Sequence, residues 1–221
     1  STRLLPLFPL PLVLFPGTPL PLHIFEPRYR RLLADCLAGD RQFGVLHRPD
    51  GAAEADLPPG HVGCIATVNT VHALPDGRSN VLVDGTERFR LLHLADAADV
   101  PYQVGEVEPY EDIAEDATLL ADVGARLRTV FERVARAART IADEGGDLPD
   151  LPEDPALISF AIAAMIDLDA DARQQLLASR SALERLRVLE QLLQDAIPGL
   201  DERARVHVRA RGNGHGPGGH A

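Results

Sequence analysis

Along residues 4–31 the apolar positions come in short groups, each broken by a proline, at Pro6, Pro9, Pro11, Pro16, Pro19 and Pro21. Proline fixes φ and carries no N–H, so neither one long apolar helix nor an unbroken central strand fits this stretch. The pattern predicts short extended pieces that turn at Phe15-Pro16-Gly17-Thr18. Pro27 suits the first turn of a helix, and Glu26 suits its positive end. Tyr29, Leu32, Leu33, Cys36 and Leu37 then lie on one stripe, closed by Gly39, which predicts a helix over Pro27–Ala38.

Residues 42–47 (QFGVLH) read as a short strand, and 48–60 as a turn-rich loop without periodicity. Residues 61–71 have strand composition, and Leu74-Pro75-Asp76-Gly77-Arg78 is a strong turn signal. Residues 80–84 and 86–94 predict a hairpin about Gly85. In its second arm Arg88 and Arg90 alternate with Phe89 and Leu91, so one face is wet and the other buried. A further strand is expected over 102–107.

The period changes near residue 111. Leu120, Val123, Leu127, Val130, Val134, Ala138 and Ile141 recur every three or four positions, as on an amphipathic helix. An acidic Gly/Pro loop covers 142–154, and Asp154-Pro155 caps a helix that is apolar all round over 156–166. A short helix follows at 169–178. Ser181-Ala182-Leu183-Glu184 is a capping box for a last long helix, predicted to stop at Ile197-Pro198-Gly199. The expectation is an α+β chain: a small β-barrel or sandwich lobe with one covering helix over 1–112, about four bundled helices over 113–200, and a flexible Arg-rich then Gly-rich tail over 201–221.

Composition narrows the chemistry. The chain has 221 residues and a formal net charge of −11, which argues against a partner gripped through its phosphates. Every one of the 22 basic residues is arginine. Without lysine there is no Walker A lysine, no Ser–Lys dyad and no Schiff base. Two cysteines without C-x-x-C spacing suit a reducing compartment. The prolines leave no signal-peptide core and no apolar run long enough to span a bilayer, so a soluble cytoplasmic protein is expected.

The candidate reactive groups read more simply as structure. Glu26 and Arg28 flank Pro27 as charges at a helix start. Cys64 and His61 are three apart in a strand, on opposite faces, and Cys36 lies on an apolar helix stripe. The eight histidines are scattered, and only His215 and His220 share a segment, so no metal site or cofactor is expected. The segment 11–17 (PLVLFPG) stands apart. With Leu12 and Leu14 inward, Val13, Phe15 and Pro16 fall on the other side or in a turn, and an exposed apolar patch there marks an interaction site.

LPLVLFPGTPLPLHIFEPRYR resembles the start of the substrate-binding domain found at the N-terminus of Lon proteases. The block 63–92, GCIATVNTVHALPDGRSNVLVDGTERFRLL, resembles that family's G-x-I-A…LPDG…VLV-G-x-x-R-F-R pattern. The similarity is greatest to the bacterial version in which the domain stands alone. The resemblance implies a PUA-like β lobe followed by helices. It also implies a non-catalytic module that binds protein or peptide segments, extended or unfolded, without ATPase or peptidase activity. A small-ligand or nucleic-acid binder is the alternative, by analogy with other PUA-like domains, and the acidic balance disfavours RNA.

Overall fold

The computed structural model describes residues 1–49 and 51–213. Six strands, β1 (Arg3–Leu10), β2 (Pro19–Ile24), β3 (Gln42–His47), β4 (Val62–Ala73), β5 (Ser79–Leu94) and β6 (Val104–Pro109), form one sheet. Among the described residues there are five α-helices: α1 (Pro27–Ala38), α2 (Ala117–Ala142), α3 (Pro155–Met165), α4 (Ala170–Ala178) and α5 (Ala182–Asn213). The α+β class read from the pattern therefore holds, and α1 and β3 have the predicted bounds. The chain divides into two compact units, one of Ser1–Ala114 with Ala163–Ser181, the other of Glu115–Ile162 with Ala182–Ala221.

In the first unit the strand order is β2-β5-β4-β3-β1-β6, and β5 also pairs with β6, which closes the sheet on itself and leaves β2 outside the ring. Leu5, Leu7, Leu46, Ile65, Phe89, Leu91 and Val107 pack on one face of the strands. Little room remains there: a Cβ on Gly44 or Gly63 would lie 2.7 or 2.6 Å from Phe89 Cζ. The alternate residues, among them Phe8, Phe43, Val45 and Cys64, pack beneath Tyr29, Leu32, Leu33 and Cys36 of α1. Alternation with period two thus feeds two clusters from the same strands.

Two turns predicted from sequence are present. Leu74–Arg78 links β4 to β5, with Gly77 at φ 82°. Phe15–Thr18 links the end of β1 to β2, with Gly17 at φ 73° and Thr18 Oγ1 donating to the Phe15 carbonyl at 2.7 Å. The hairpin expected about Gly85 is absent, because β5 runs straight through it. Gly85 serves close approach instead: a Cβ there would stand 2.1 Å from the Phe15 carbonyl oxygen.

Arg88, 6% exposed, joins β5 to α4 within this unit. Its Nη1 donates to the carbonyls of Leu177 and Ser179, both at 2.7 Å, and its Nη2 pairs with Asp112. Its guanidinium lies over the Tyr110 ring, whose hydroxyl donates to the Ala178 carbonyl at 2.8 Å. The C-terminal carbonyls of α4 are thereby satisfied by a cation, as helix ends require. So α4 groups with the strands, whereas the sequence pattern places it among the other helices.

In the second unit α2 and α5 lie side by side. Arg126–Glu190 at 3.1 Å, Arg133–Asp201 at 2.5 Å and Asp143–His207 at 2.9 Å join residues 64 or 68 positions apart, so the two helices run parallel. Their seam is filled by Val123, Leu127, Phe131, Leu186, Leu189 and Leu193. The predicted stop at Pro198 does not occur: α5 contains that proline and continues to Asn213. An interior proline costs about 3 kcal/mol or more, and the pairs at Asp201 and His207 hold the far side of α5 against α2. Residues 214–221 of the expected tail lie outside the described residues.

Candidate functional site

Val13 and Phe15 are 7% and 1% exposed, and Pro16 is buried as well. That corrects the expected exposed patch at Val13, Phe15 and Pro16. The Phe15 backbone sits against Gly85, and its ring is held inside the fold. The groove that is open lies beside this turn. It has a volume of about 410 Å³, with Phe8–Leu12 along one wall and Pro21–Phe25 along the other. It is deeper and more apolar than three wider depressions of 550, 630 and 640 Å³.

The walls follow from the proline spacing. At the end of β1 and just past it, Pro11 is exposed and Leu10 and Leu12 are half-buried, and both leucines line the groove while packing against the core cluster. Across from them β2 pairs with β5 through a complete register from Pro19↔Asp84 to Ile24↔Ser79. At the end of β2, Phe25 is 58% exposed on the groove's rim and stacks on His23, ring centroids 6.0 Å apart. The His23 ring in turn shares a 2.7 Å hydrogen bond with the Asn80 side chain. An exposed Phe held in a fixed pose beside an apolar groove is a ready contact for another apolar chain.

One end of the groove is polar and internally paired. Arg28 lies over the Tyr29 ring, 4.7 Å from its centroid, with Nη1 2.8 Å from Glu54 and Nε 2.9 Å from Glu26. The Tyr29 hydroxyl donates to the other Glu54 oxygen. Burial and the carboxylate of Glu54 together push the Tyr29 phenol well above its ordinary range. Arg48 donates from Nη1 to the Ala52 carbonyl, while its buried Nε has no partner among the described residues. Two carboxylates and two guanidinium groups leave this end electrically balanced.

The remaining candidates stay structural. Glu26 and Arg28 form an ion pair at the start of α1. Burial pushes the Cys36 and Cys64 thiols up to about 12, the direction opposite to that of a nucleophile. His61 bonds the His47 carbonyl at 2.9 Å. Among the described residues no group of three or more His, Cys, Asp or Glu could hold a metal, and no helix is long and apolar enough to cross a membrane. Sequence reasoning missed Phe25, Leu22, Arg48 and Glu54. The alternation of Pro19 and Pro21 was the available signal, since it marks an edge strand. Nothing in the sequence joins Glu54 to Tyr29.

The closed sheet, its covering helix and the proline-walled apolar groove are the frame on which the similarity to known proteins falls. The chain belongs to the family described as "ATP-dependent protease La (LON) substrate-binding domain", whose sequence model matches residues 4–195. Lon protease 2 of Herpetosiphon aurantiacus is 30% identical over 204 residues, covering 91% of this chain and 25% of that protein. The Lon protease of Cytophaga hutchinsonii is 25% identical over 218 residues, covering 93% and 26%. The chain thus spans about a quarter of the length of these curated relatives. Among solved structures, the Lon N-terminal domain protein from Xanthomonas campestris superposes with a TM-score of 0.58 at 28% identity, covering 85% of this chain and 96% of that one. The N-terminal domain of the Mycobacterium avium complex Lon protease gives 0.62 at 18% identity over 87% and 99%, which supports the fold alone.

Proposed function

We propose that this chain is a non-catalytic, cytoplasmic module that binds extended, apolar segments of other polypeptides in the groove between the end of β1 and β2. The observation that carries the reading is Phe25, exposed on the rim of an apolar groove in a chain of the substrate-binding family. Phe25, Leu22, Leu10 and Leu12 supply the apolar contact, and the Tyr29–Glu54–Arg28 network fixes the wall that carries them. The family match does not favour the small-ligand or nucleic-acid alternative, and the balanced charge of the groove offers phosphates no grip.

Phe25→Ala tests the reading. An exposed residue should change stability by no more than about 0.5 kcal/mol, whereas a central aromatic contact should weaken binding of a fluorescent apolar peptide about tenfold. Peptide affinity that survives Phe25→Ala together with Leu22→Ser would remove the groove as the site.

A further inference from the structure

The open side of β2 has an unusual hydrogen-bonding character. The Gly85 N–H donates to the Thr18 carbonyl at 2.8 Å, so Thr18, and with it Leu20, Leu22 and Ile24, directs its backbone polar groups towards β5. Pro19, Pro21 and His23 therefore direct theirs away from the sheet, and β2 has no second neighbour among the described residues. All three are exposed, and none has a backbone partner among the described residues. Two of the three lack an N–H. The edge thus offers three carbonyl acceptors but a single donor, at His23. Pro21 and His23 also line the groove, and Pro19 continues the same open edge beyond it.

We propose that a polypeptide in the groove is held to β2 by a one-way ladder, its own N–H groups donating to the Pro19 and Pro21 carbonyls with no bond returned. The inference rests on the groove reading given above and adds the chemical rule by which the segment is chosen. The captured segment must be extended, with free N–H groups and no proline at the positions opposite Pro19 and Pro21. Its carbonyls at those positions stay with water, so their acceptor strength is immaterial. Ordinary strand addition uses bonds in both directions, and an edge able to form them also recruits other edges. Here the prolines keep the acceptors and delete the donors, which permits capture of one segment without sheet growth.

The test uses the full chain and a short fluorescein-labelled peptide that alternates leucine with threonine. One series replaces single amides by esters, deleting an N–H each time. A second replaces single carbonyls by thioamides, which accept poorly but still donate. Three alternate ester positions, opposite Pro19, Pro21 and His23, should each weaken binding roughly three- to tenfold, the range of a net hydrogen bond. Thioamides should be harmless except at the one position facing the His23 N–H. Pro21→Ala restores a donor to the exposed edge, and should tighten binding of the parent peptide and create a second thioamide-sensitive position. Esters without effect on a peptide that still binds, or esters and thioamides equally harmful in the unmodified protein, would overturn the one-way ladder and leave the groove standing. A parent peptide that does not bind at all removes the groove reading, and this inference with it.

Discussion

Phe15 and Phe25 lie ten positions apart in the same proline-broken stretch and meet opposite fates. Phe15 is 1% exposed and Phe25 is 58% exposed. Phe15 directly precedes Pro16 and Phe25 lies two positions before Pro27, and each closes a proline-broken run rich in apolar residues. The difference is made elsewhere in the chain. Gly85 lets the Phe15 backbone come down onto β5, with Gly17 N–H donating to the Gly85 carbonyl at 2.8 Å. No such opening lies beneath Phe25, where Pro27 starts α1 at once and turns the chain away. Local apolar pattern tells which segments want burial. The backbone opposite decides which side chain is granted it.

The sharpest way to break this contrast is Phe15→Ala, which should cost about 3–5 kcal/mol if the ring is core. Chemical denaturation measures it, and a loss below about 1 kcal/mol would put Phe15 back on the surface. Gly85→Ala should follow at about 1–3 kcal/mol, the usual range for overpacking, because its Cβ meets a backbone oxygen that cannot rotate away. A stability unchanged by that substitution would show that the turn moves freely over β5. Tyr29→Phe removes the hydroxyl held by Glu54 and should cost about 1 kcal/mol, read as a lower denaturation midpoint.

Alkaline pH probes the buried side of the same cluster. The Tyr29 phenol and the Cys36 and Cys64 thiols are all pushed up on folding, chiefly by burial. A raised folded pKa gives stability that is complete below the unfolded value, near 9.0 for the thiols and 10.0 for the phenol, and that fades as pH climbs through the folded value. Melting temperature should therefore fall progressively above pH 9, and Tyr29→Phe should shallow that fall. A melting temperature constant up to pH 12 would contradict the burial of these groups. Phe25→Ala should have the smallest effect on stability, within about 0.5 kcal/mol, and the largest on peptide binding.

Much of the fold was legible because its signals are local. Pro27 and the stripe Tyr29–Cys36 announce α1, and Leu74-Pro75-Asp76-Gly77 announces the β4–β5 turn. The errors share one cause, which is that a residue type can serve two physical ends. Glycine marks a turn and also permits a close contact, and Gly85 does the second. Proline after a helical run usually marks an end, yet α5 accepts Pro198 where ion pairs to α2 continue beyond it. The site was less legible than the fold. Exposure of Phe25 and burial of Phe15 depend on β5, which follows in sequence by more than fifty positions, and the pairing of Glu54 with Tyr29 crosses 25.

The path of the chain between its two units has a consequence for how the protein can be made. The strand unit is complete only when α4 supplies Gln174 to the Val62 carbonyl at 2.9 Å and its C-terminal carbonyls to Arg88. Those residues are synthesised after α2 and α3, and α5, the parallel mate of α2, comes later still. Neither unit is therefore finished when its first segment leaves the ribosome, and both wait on non-local closures of the kind that slow folding. Folding should be a late, cooperative event rather than a stepwise one, and the nascent β-rich segment is the interval in which this chain most needs protection from aggregation.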